Sequence, residues 1–523
     1  LKRLINRMYL LLCVLLCIGF ILSGCGNQQS TEEPEIVLAA ARDLAPGNKA
    51  PYYSSVILKT WESLVGISDD GKIKPMLAES WESNESKTEW IFHLKKGVKF
   101  HDGSDFNAEA VLANFYRITH MGYKPSTFYG YQVSRIYPGL IKYEADDAYT
   151  VHLYFEKPVP MLIYRMAGWG SCMFSPSSFD KESGDFIDIA KGTGPFKIVE
   201  RKADNYTVLE RFDEYYGEKA KAKRIRVRVI TSPEARYSAL KSEEIFGVLD
   251  LGGVTPIMAE DLMRDGRFQV NSAKSTISHY LSVNGTRYPF TDERMRMALN
   301  LVIDREQIVR HYFRGYGTPT RNFLNSTDPF SKVYPPEKNL EEAKKLVDEV
   351  LQGKRQKIVF LIPQYGAARY PYKVISEFIQ AELKVLGLDT EIVLMDGMTA
   401  RKAMAMGNYD LSIGTRGLGN LDPTSLLYEF FDTKGPTNKA SSFGYSNPQI
   451  DADFEKLVGT YNIEDRAQIY TDILNQLVEH PAVVPLFEDQ NLAVSNKKLS
   501  GYDAVVYGIT LDKVSWVGEG DVK

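Results

Sequence analysis

Residues 357–394 read KIVFLIPQYGAARYPYKVISEFIQAELKVLGLDTEIVL. Lys357–Ile362 is a short apolar strand. A helix then runs through Phe378 and Leu386 and stops at Gly387. Thr390–Leu394 returns as a second strand. Strand, helix and strand in that order make a βαβ unit, which favours a right-handed crossover and a parallel sheet.

The same alternation continues outward. Tyr409–Ile413 supplies a further strand, and Asn447-Pro448 opens a helix with proline in the first turn. Ile469, Ile473 and Leu477 line the next helix, which Pro481 ends. Upstream, Thr291 opens a helix carrying Met295, Leu299 and Val302. Asp304 and Gln307 have capping-box spacing for a helix ending at Gly315, and Asn339 and Glu342 repeat that spacing. In the latter helix Leu340, Ala343, Leu346, Val347, Val350 and Leu351 form one apolar face before Gly353. In the first half, Glu89–Phe100 reads as a hairpin turning at Gly97, and Asp102-Gly103 makes a tight turn. Asn107 caps a helix with Val111, Phe115 and Ile118 on one face. Thr150–Phe155 reads as a strand, and Lys223–Ile230 alternates basic and apolar residues as an edge strand does. The expected fold class is α/β.

Length and composition agree with this. The chain has 523 residues, 63 basic and 67 acidic, for a net charge of −4. A chain of this length holds several cores, and its 44% hydrophobic and 25% charged fractions are those of a folded protein. The balance lacks the positive excess of a general nucleic-acid binder.

The N-terminus reads as an address. Lys2, Arg3 and Arg7 precede the uncharged run Met8–Leu22, and Leu22-Ser23-Gly24-Cys25 follows. The run is short for a membrane span and suits a signal peptide over 1–24. The four residues resemble the lipobox of bacterial lipoproteins, which implies lipid attachment at Cys25. The polar segment after it, over 25–34, reads as a tether. Cleavage would leave Cys25 and Cys172, the latter expected as a small buried hydrophobe with no disulfide partner.

Catalytic signatures are missing. There is no P-loop, HExxH, GxSxG or GxGxxG, and no two of the seven histidines lie within five residues. The histidines read as surface or turn residues, and Asp69-Asp70 and Asp146-Asp147 as solvated turns. The Asn284 and Asn325 sequons carry no expected role.

Pro75–Glu82 (PMLAESWE) and Trp90–Val111 (WIFHLKKGVKFHDGSDFNAEAV) resemble the opening signature of family 5 extracellular solute-binding proteins. Gly192–Ile198, Tyr215–Glu218, Val283-Asn284, Met297–Val309, Tyr409-Asp410-Leu411 and Arg466–Leu486 follow in the family's order. The resemblance implies a two-lobed periplasmic-binding-protein-like fold of the large peptide- or nickel-binding type, hinged about a central cleft. Lobe I is expected over 31–280 and 490–523, with an inserted subdomain near 76–198, and lobe II over 281–489. The crossings are expected at Tyr280–Val283 and Val483–Phe487, and Gly192 and Gly194 as fold residues that permit tight backbone. The implied partners are an ABC permease and its ATPase, a small solute and, through the lipid, the membrane. The protein is expected as a monomer without cofactor, at the outer face of the cytoplasmic membrane or in a periplasm.

The family's ligand residues carry over unevenly. Asp422-Pro423 matches an acidic-Pro element of the second lobe. The aspartate that peptide binders place three residues earlier, for the peptide's amino group, is Gly419 here. The histidine of nickel binders is absent from Thr433–Asn438, and Trp169 holds the place of their arginine. Trp169 either stacks on the ligand or anchors the core. Arg416 either pairs a ligand carboxylate or is a solvated loop arginine. Tyr52, Tyr53, Phe128, Tyr129 and Tyr131 are candidates for an aromatic lining. The expected ligand is a short peptide or similar zwitterion, with reduced dependence on a free amino group. The alternatives are a metal chelate or, from another class, an exported enzyme or chaperone-like peptide sink.

Overall fold

The computed structural model describes residues 33–44, 57–120, 133–168, 171–187, 189–249, 252–367, 370–417 and 420–518. Residues from Ile36 onward make one unit, and 33–35 before it are irregular. Its frame is an eleven-stranded mixed sheet. In chain order the strands are β1 (Ile36–Ala40), β2 (Phe196–Lys202), β3 (Tyr206–Arg211), β4 (Arg224–Val229), β5 (Gly247–Val248) and β6 (Phe268–Val283). They continue as β7 (Gly317–Pro319), β8 (Gln356–Pro363), β9 (Leu388–Met395), β10 (Leu411–Gly417) and β11 (Val483–Asn496). The spatial order is β2-β3-β4-β1-β5-β11-β6-β10-β8-β9, with β7 on β11.

The βαβ unit forms as its sequence predicts. β8 and β9 pair in parallel around the helix Tyr372–Val385, which buries Ile375, Ile379 and Leu383. The expected caps at Asp304, Asn339 and Asn447 each accept a backbone N–H from the first helical turn. Two expectations fail. Glu89–Leu94 does not turn back at Gly97: its hairpin partner is the preceding strand Ala78–Ser83, and Thr150–Phe155 lies on its other side in a separate four-stranded sheet. The turn at Gly97 is real, but the chain after it buries Val98 and Phe100 instead of returning alongside. The strand within Lys223–Ile230 is no edge strand, since β4 lies between β3 and β1. Its arginines tolerate this place because Arg224 and Arg226 reach Glu200 and Arg228 reaches Glu244.

Two long antiparallel strands, β6 and β11, run through the middle of the sheet. Phe268–Lys274 pairs with Gln490–Asn496, and Ser278–Ser282 with Val483–Glu488. Between these stretches the register breaks, and Ser275, Thr276 and Ile277 face the single residue Asp489. Ser275 Oγ donates to Asp489 there, and His279 Nε2 lies 3.4 Å from the same carboxylate. His279 is stacked on Phe487 at 4.2 Å and buried, so the surface reading of the histidines fails at this residue.

Apolar packing sorts to the two sides of this break. One core gathers Ile36, Leu38, Ile57, Phe174, Phe196 and Leu209, and a second joins Leu281, Met295, Leu299, Phe360, Ile375 and Leu486. Gly192 and Gly194 permit close backbone approach as expected. A Cβ on either would stand 2.3 Å from the carbonyl oxygen of Thr60 or Lys59, respectively.

Candidate functional site

The site is assembled on one row of the sheet. Arg416 of β10 lies opposite Ser278 of β6, which lies opposite Glu488 of β11, which faces Thr318 of β7. Ser278 is the first paired residue past the register break. The segment 320–331 is fastened to this row. Asn325 Nδ2 donates to Ser278 Oγ at 3.0 Å, and the Ser326 N–H and hydroxyl donate to Glu488 at 2.7 and 2.5 Å. Burial pushes the Glu488 carboxyl up, opposed by those bonds from Ser326.

Arg416 points its guanidinium among aromatic rings. The guanidinium carbon is 4.9 Å from the Phe323 ring centre and 5.6 Å from that of Phe430. It is half-buried and has no ion pair or hydrogen bond with any described residue. Desolvation pulls its pKa down to about 9, against the opposing influence of Tyr280, Asp328 and Glu429. Arg416 is thus a strand residue packed against aromatic rings, not a loop arginine in bulk water.

A buried acid sits beside it. Asp328 is 3% exposed; its Oδ1 accepts from the Phe330 N–H at 2.9 Å, and its Oδ2 is buried with no partner. Burial pushes the carboxyl up to about 8; the Asp422 charge adds to this and Arg416 opposes it. Sequence reasoning missed Asp328. The available signal was the Asn325-Ser-Thr327 triplet, which serves as an Asx turn: Asn325 Oδ1 accepts from the Thr327 N–H and hydroxyl. Asn284 and Thr286 make the same turn, so both sequons have a local structural use.

Asp422 is fully engaged. Its Oδ1 accepts from the Thr424 N–H and hydroxyl, and its Oδ2 from Arg165 Nε at 2.6 Å. Arg165 belongs to the helix Leu162–Met166. The same contact zone holds a Leu421 N–H bond to the Tyr164 carbonyl at 3.1 Å and an Arg135–Glu429 ion pair at 3.4 Å.

A cavity of about 240 Å³ is lined by Lys59, Trp61, Glu62, Asp69, Cys172 and Tyr507, among others. Tyr507, on this cavity's wall, also feels the Asp328 charge. Lys59 bridges Asp512 at 2.9 Å and Asp69 at 3.8 Å; Asp69 and Asp70 lie exposed in a turn, as expected. Cys172 is half-buried on the cavity wall, not sealed in the core, because its short strand Cys172–Met173 pairs with Glu62–Ser63 at the cavity edge. Cys25, Tyr52, Tyr53, Phe128, Tyr129, Tyr131, Trp169 and Gly419 lie outside the described residues. Among the described residues no three His, Cys, Asp or Glu side chains gather as a metal site, and no helix is long and apolar enough to cross a membrane.

The chain matches the family of bacterial extracellular solute-binding proteins, family 5, over residues 72–438. It belongs to that family. It is accordingly a solute-binding component of ABC import, working with permease and ATPase subunits, and not an enzyme. Among curated relatives, the glutathione-binding protein GsiB of Salmonella choleraesuis is 24% identical over 454 residues, covering 84% of this chain and 86% of the relative. The probable D,D-dipeptide-binding periplasmic protein DdpA of Escherichia coli K12 is 24% identical over 463 residues, covering 86% of each. Among solved structures, NikA of Brucella suis with Fe(III)-EDTA superposes with a TM-score of 0.80 at 21% identity, over 93% of this chain and 100% of that one. DppA of Helicobacter pylori with the peptide STSA gives 0.71 at 21% identity, over 92% and 98%. These likenesses establish the two-lobed fold.

Proposed function

We propose that the protein captures a short peptide or similarly sized zwitterion outside the cell and hands it to the permease. One observation carries the reading: the Arg416 guanidinium, held against Phe323 and Phe430, has no protein carboxylate of its own. A ligand carboxylate matches the planar guanidinium fork with two parallel hydrogen bonds. The names of the relatives support the class, since glutathione and a dipeptide both carry carboxylate and ammonium groups. Tyr52, Phe128, Tyr129 and Trp169 are proposed as the aromatic lining.

Lobe I is assigned to 31–280 and 490–523, and lobe II to 281–489. The register break at Ser275–Ile277 and Asp489 supports boundaries there, and the Arg165–Asp422 pair then spans the cleft. Cys25 is assigned as the lipidated N-terminus, which anchors a monomer at the outer face of the membrane. Mass spectrometry of the solute that co-purifies in the cleft tests the ligand class. A neutral solute without carboxylate would overturn it. Intact-mass measurement of the membrane-extracted protein tests the anchor, which fails if Cys25 carries no acyl mass.

A further inference from the structure

Arg416 has an acidic neighbour in Asp328. Asp328 Oδ2 is buried without a partner, and no described Lys, Arg or His forms an ion pair with this carboxyl. Proteins rarely leave such an oxygen orphaned, because its lost hydration is not repaid. Its position is built. Asn325 ties the segment to Ser278 and Ser326 ties it to Glu488, and Ser278 and Glu488 share a sheet row with Arg416. The spacing between the guanidinium and the orphaned oxygen is thereby set by the central strands. Arg416 nonetheless stays on its aromatic rings instead of closing onto the acid.

We propose that Asp328 receives the ligand's ammonium group, so that Arg416 and Asp328 together select a zwitterion. This rests on the solute-binding reading above and adds the cationic end to it. It also revises the sequence expectation: the acid missing at Gly419 is supplied from a different loop, and dependence on a free amino group is retained. Since Oδ2 is closed off in this state, the ammonium enters while the cleft is open and is enclosed as it shuts.

The exchange has a proton balance. With its carboxyl pushed up to about 8, Asp328 is a neutral acid at pH 6.5. When the ammonium arrives, the carboxyl O–H gives its proton to solvent and the carboxylate accepts N–H bonds from the ligand. The groups facing it are Arg416 from β10, Asp422 from the next loop, Tyr164 from the helix Leu162–Met166 and Tyr507 from the C-terminal segment. Arg416 is already charged at pH 6.5, both tyrosines are raised above the ordinary phenol value, and Asp422 is held by Arg165.

Calorimetry of the mature protein at pH 6.5, in phosphate and in bis-Tris, separates the outcomes with trialanine, N-acetyl-trialanine and trialanine amide as probes. Trialanine is expected to bind with release of close to one proton per molecule. The acetylated peptide is expected to bind at least about 30-fold more weakly and release none. Asp328→Asn is expected to lose both the amine preference and the proton release. Equal affinity for trialanine and its acetylated form, with equal proton counts, overturns the Asp328 assignment and leaves carboxylate capture by Arg416 standing. A strict need for the free amine with tight binding of the amide overturns the Arg416 reading and supports Asp328. No binding of any probe overturns both. The proton count is read on the wild-type protein, so it stands even where Asp328→Asn fails to fold.

Discussion

Arg165 and Asp422 lie 257 positions apart, yet the guanidinium Nε is 2.6 Å from the carboxylate. The Asp422 side chain is 1% exposed and that of Arg165 16%, so this is a shielded pair and not a surface ornament. Truncating Arg165 leaves Asp422 with only the Thr424 bonds in a dry setting. On the proposed lobe assignment the pair spans the cleft, and Arg165→Ala is then expected to weaken solute affinity about 10–100-fold, equivalent to about 1.4–2.8 kcal/mol. The urea midpoint of unfolding should move little. Small-angle scattering at saturating solute should show a larger radius than for wild type; an unchanged radius and affinity would show that the pair does not help hold the cleft closed.

Arg416→Ala is expected to cost about 2–5 kcal/mol in binding a carboxylate-bearing solute, or about 30-fold to several thousand-fold. Arg416→Lys keeps the charge but loses the fork and should recover only part of this. Calorimetry with the carboxyl-amidated peptide should show no further loss in Arg416→Ala. A further loss would place the carboxylate elsewhere.

His101 makes the fold acid-sensitive. Desolvation holds its pKa down at about 4, below the ordinary 6.5. Its Nε2 lies 3.0 Å from the Gly194 carbonyl and its Nδ1 accepts from the Gly192 N–H at 3.3 Å, which defines one neutral tautomer. The unfolded chain takes up a proton below pH 6.5 that the folded chain refuses until about pH 4. The contribution is therefore complete above pH 6.5 and is lost as pH falls toward 4, at most about 3 kcal/mol. Urea unfolding of wild type and His101→Gln at pH 7 and 4.5 should show a smaller acid-side loss in the variant. Parallel losses would reject His101 as the source.

Gly192 and Gly194 are expected to tolerate no side chain. Their would-be Cβ atoms meet backbone oxygens at 2.3 Å, and backbone cannot step aside as a side-chain tip can. Either glycine replaced by alanine should cost more than about 2 kcal/mol. Gly97 is a useful contrast. Its φ is +74° but nothing lies within 4 Å of its would-be Cβ, so Gly97→Ala should cost only about 1–2 kcal/mol of backbone strain. Denaturant midpoints order the three variants.

Sequence reading succeeds here where the physics is local. The βαβ unit around Tyr372–Val385 and the caps at Asp304, Asn339 and Asn447 are set by near neighbours along the chain. It fails where partners are distant. Glu89–Leu94 finds Thr150–Phe155 some sixty positions away, and the basic alternation of β4 hides that Arg224 meets Glu200 on β2 and Arg228 meets Glu244 in a later turn. The site divides the same way. Arg416 stands out beside a strand in a glycine-rich stretch. Asp328 has no periodicity or motif of its own, and becomes interpretable only when Asn325 and Ser326 bring its loop onto Ser278 and Glu488.

The pairing of β6 with β11 has a mechanical meaning. β6 and β11 are cross-linked edge to edge on both sides of the break, so bending one would bend the other. The ribbon has the form of a leaf spring with a thin spot at Ser275–Ile277, where three residues oppose one and the ladder is interrupted. Asp489, gripped there by Ser275 and facing His279, is the rivet at that spot. A spring of this form is most easily bent at its thin spot, and the guanidinium stands one row from it.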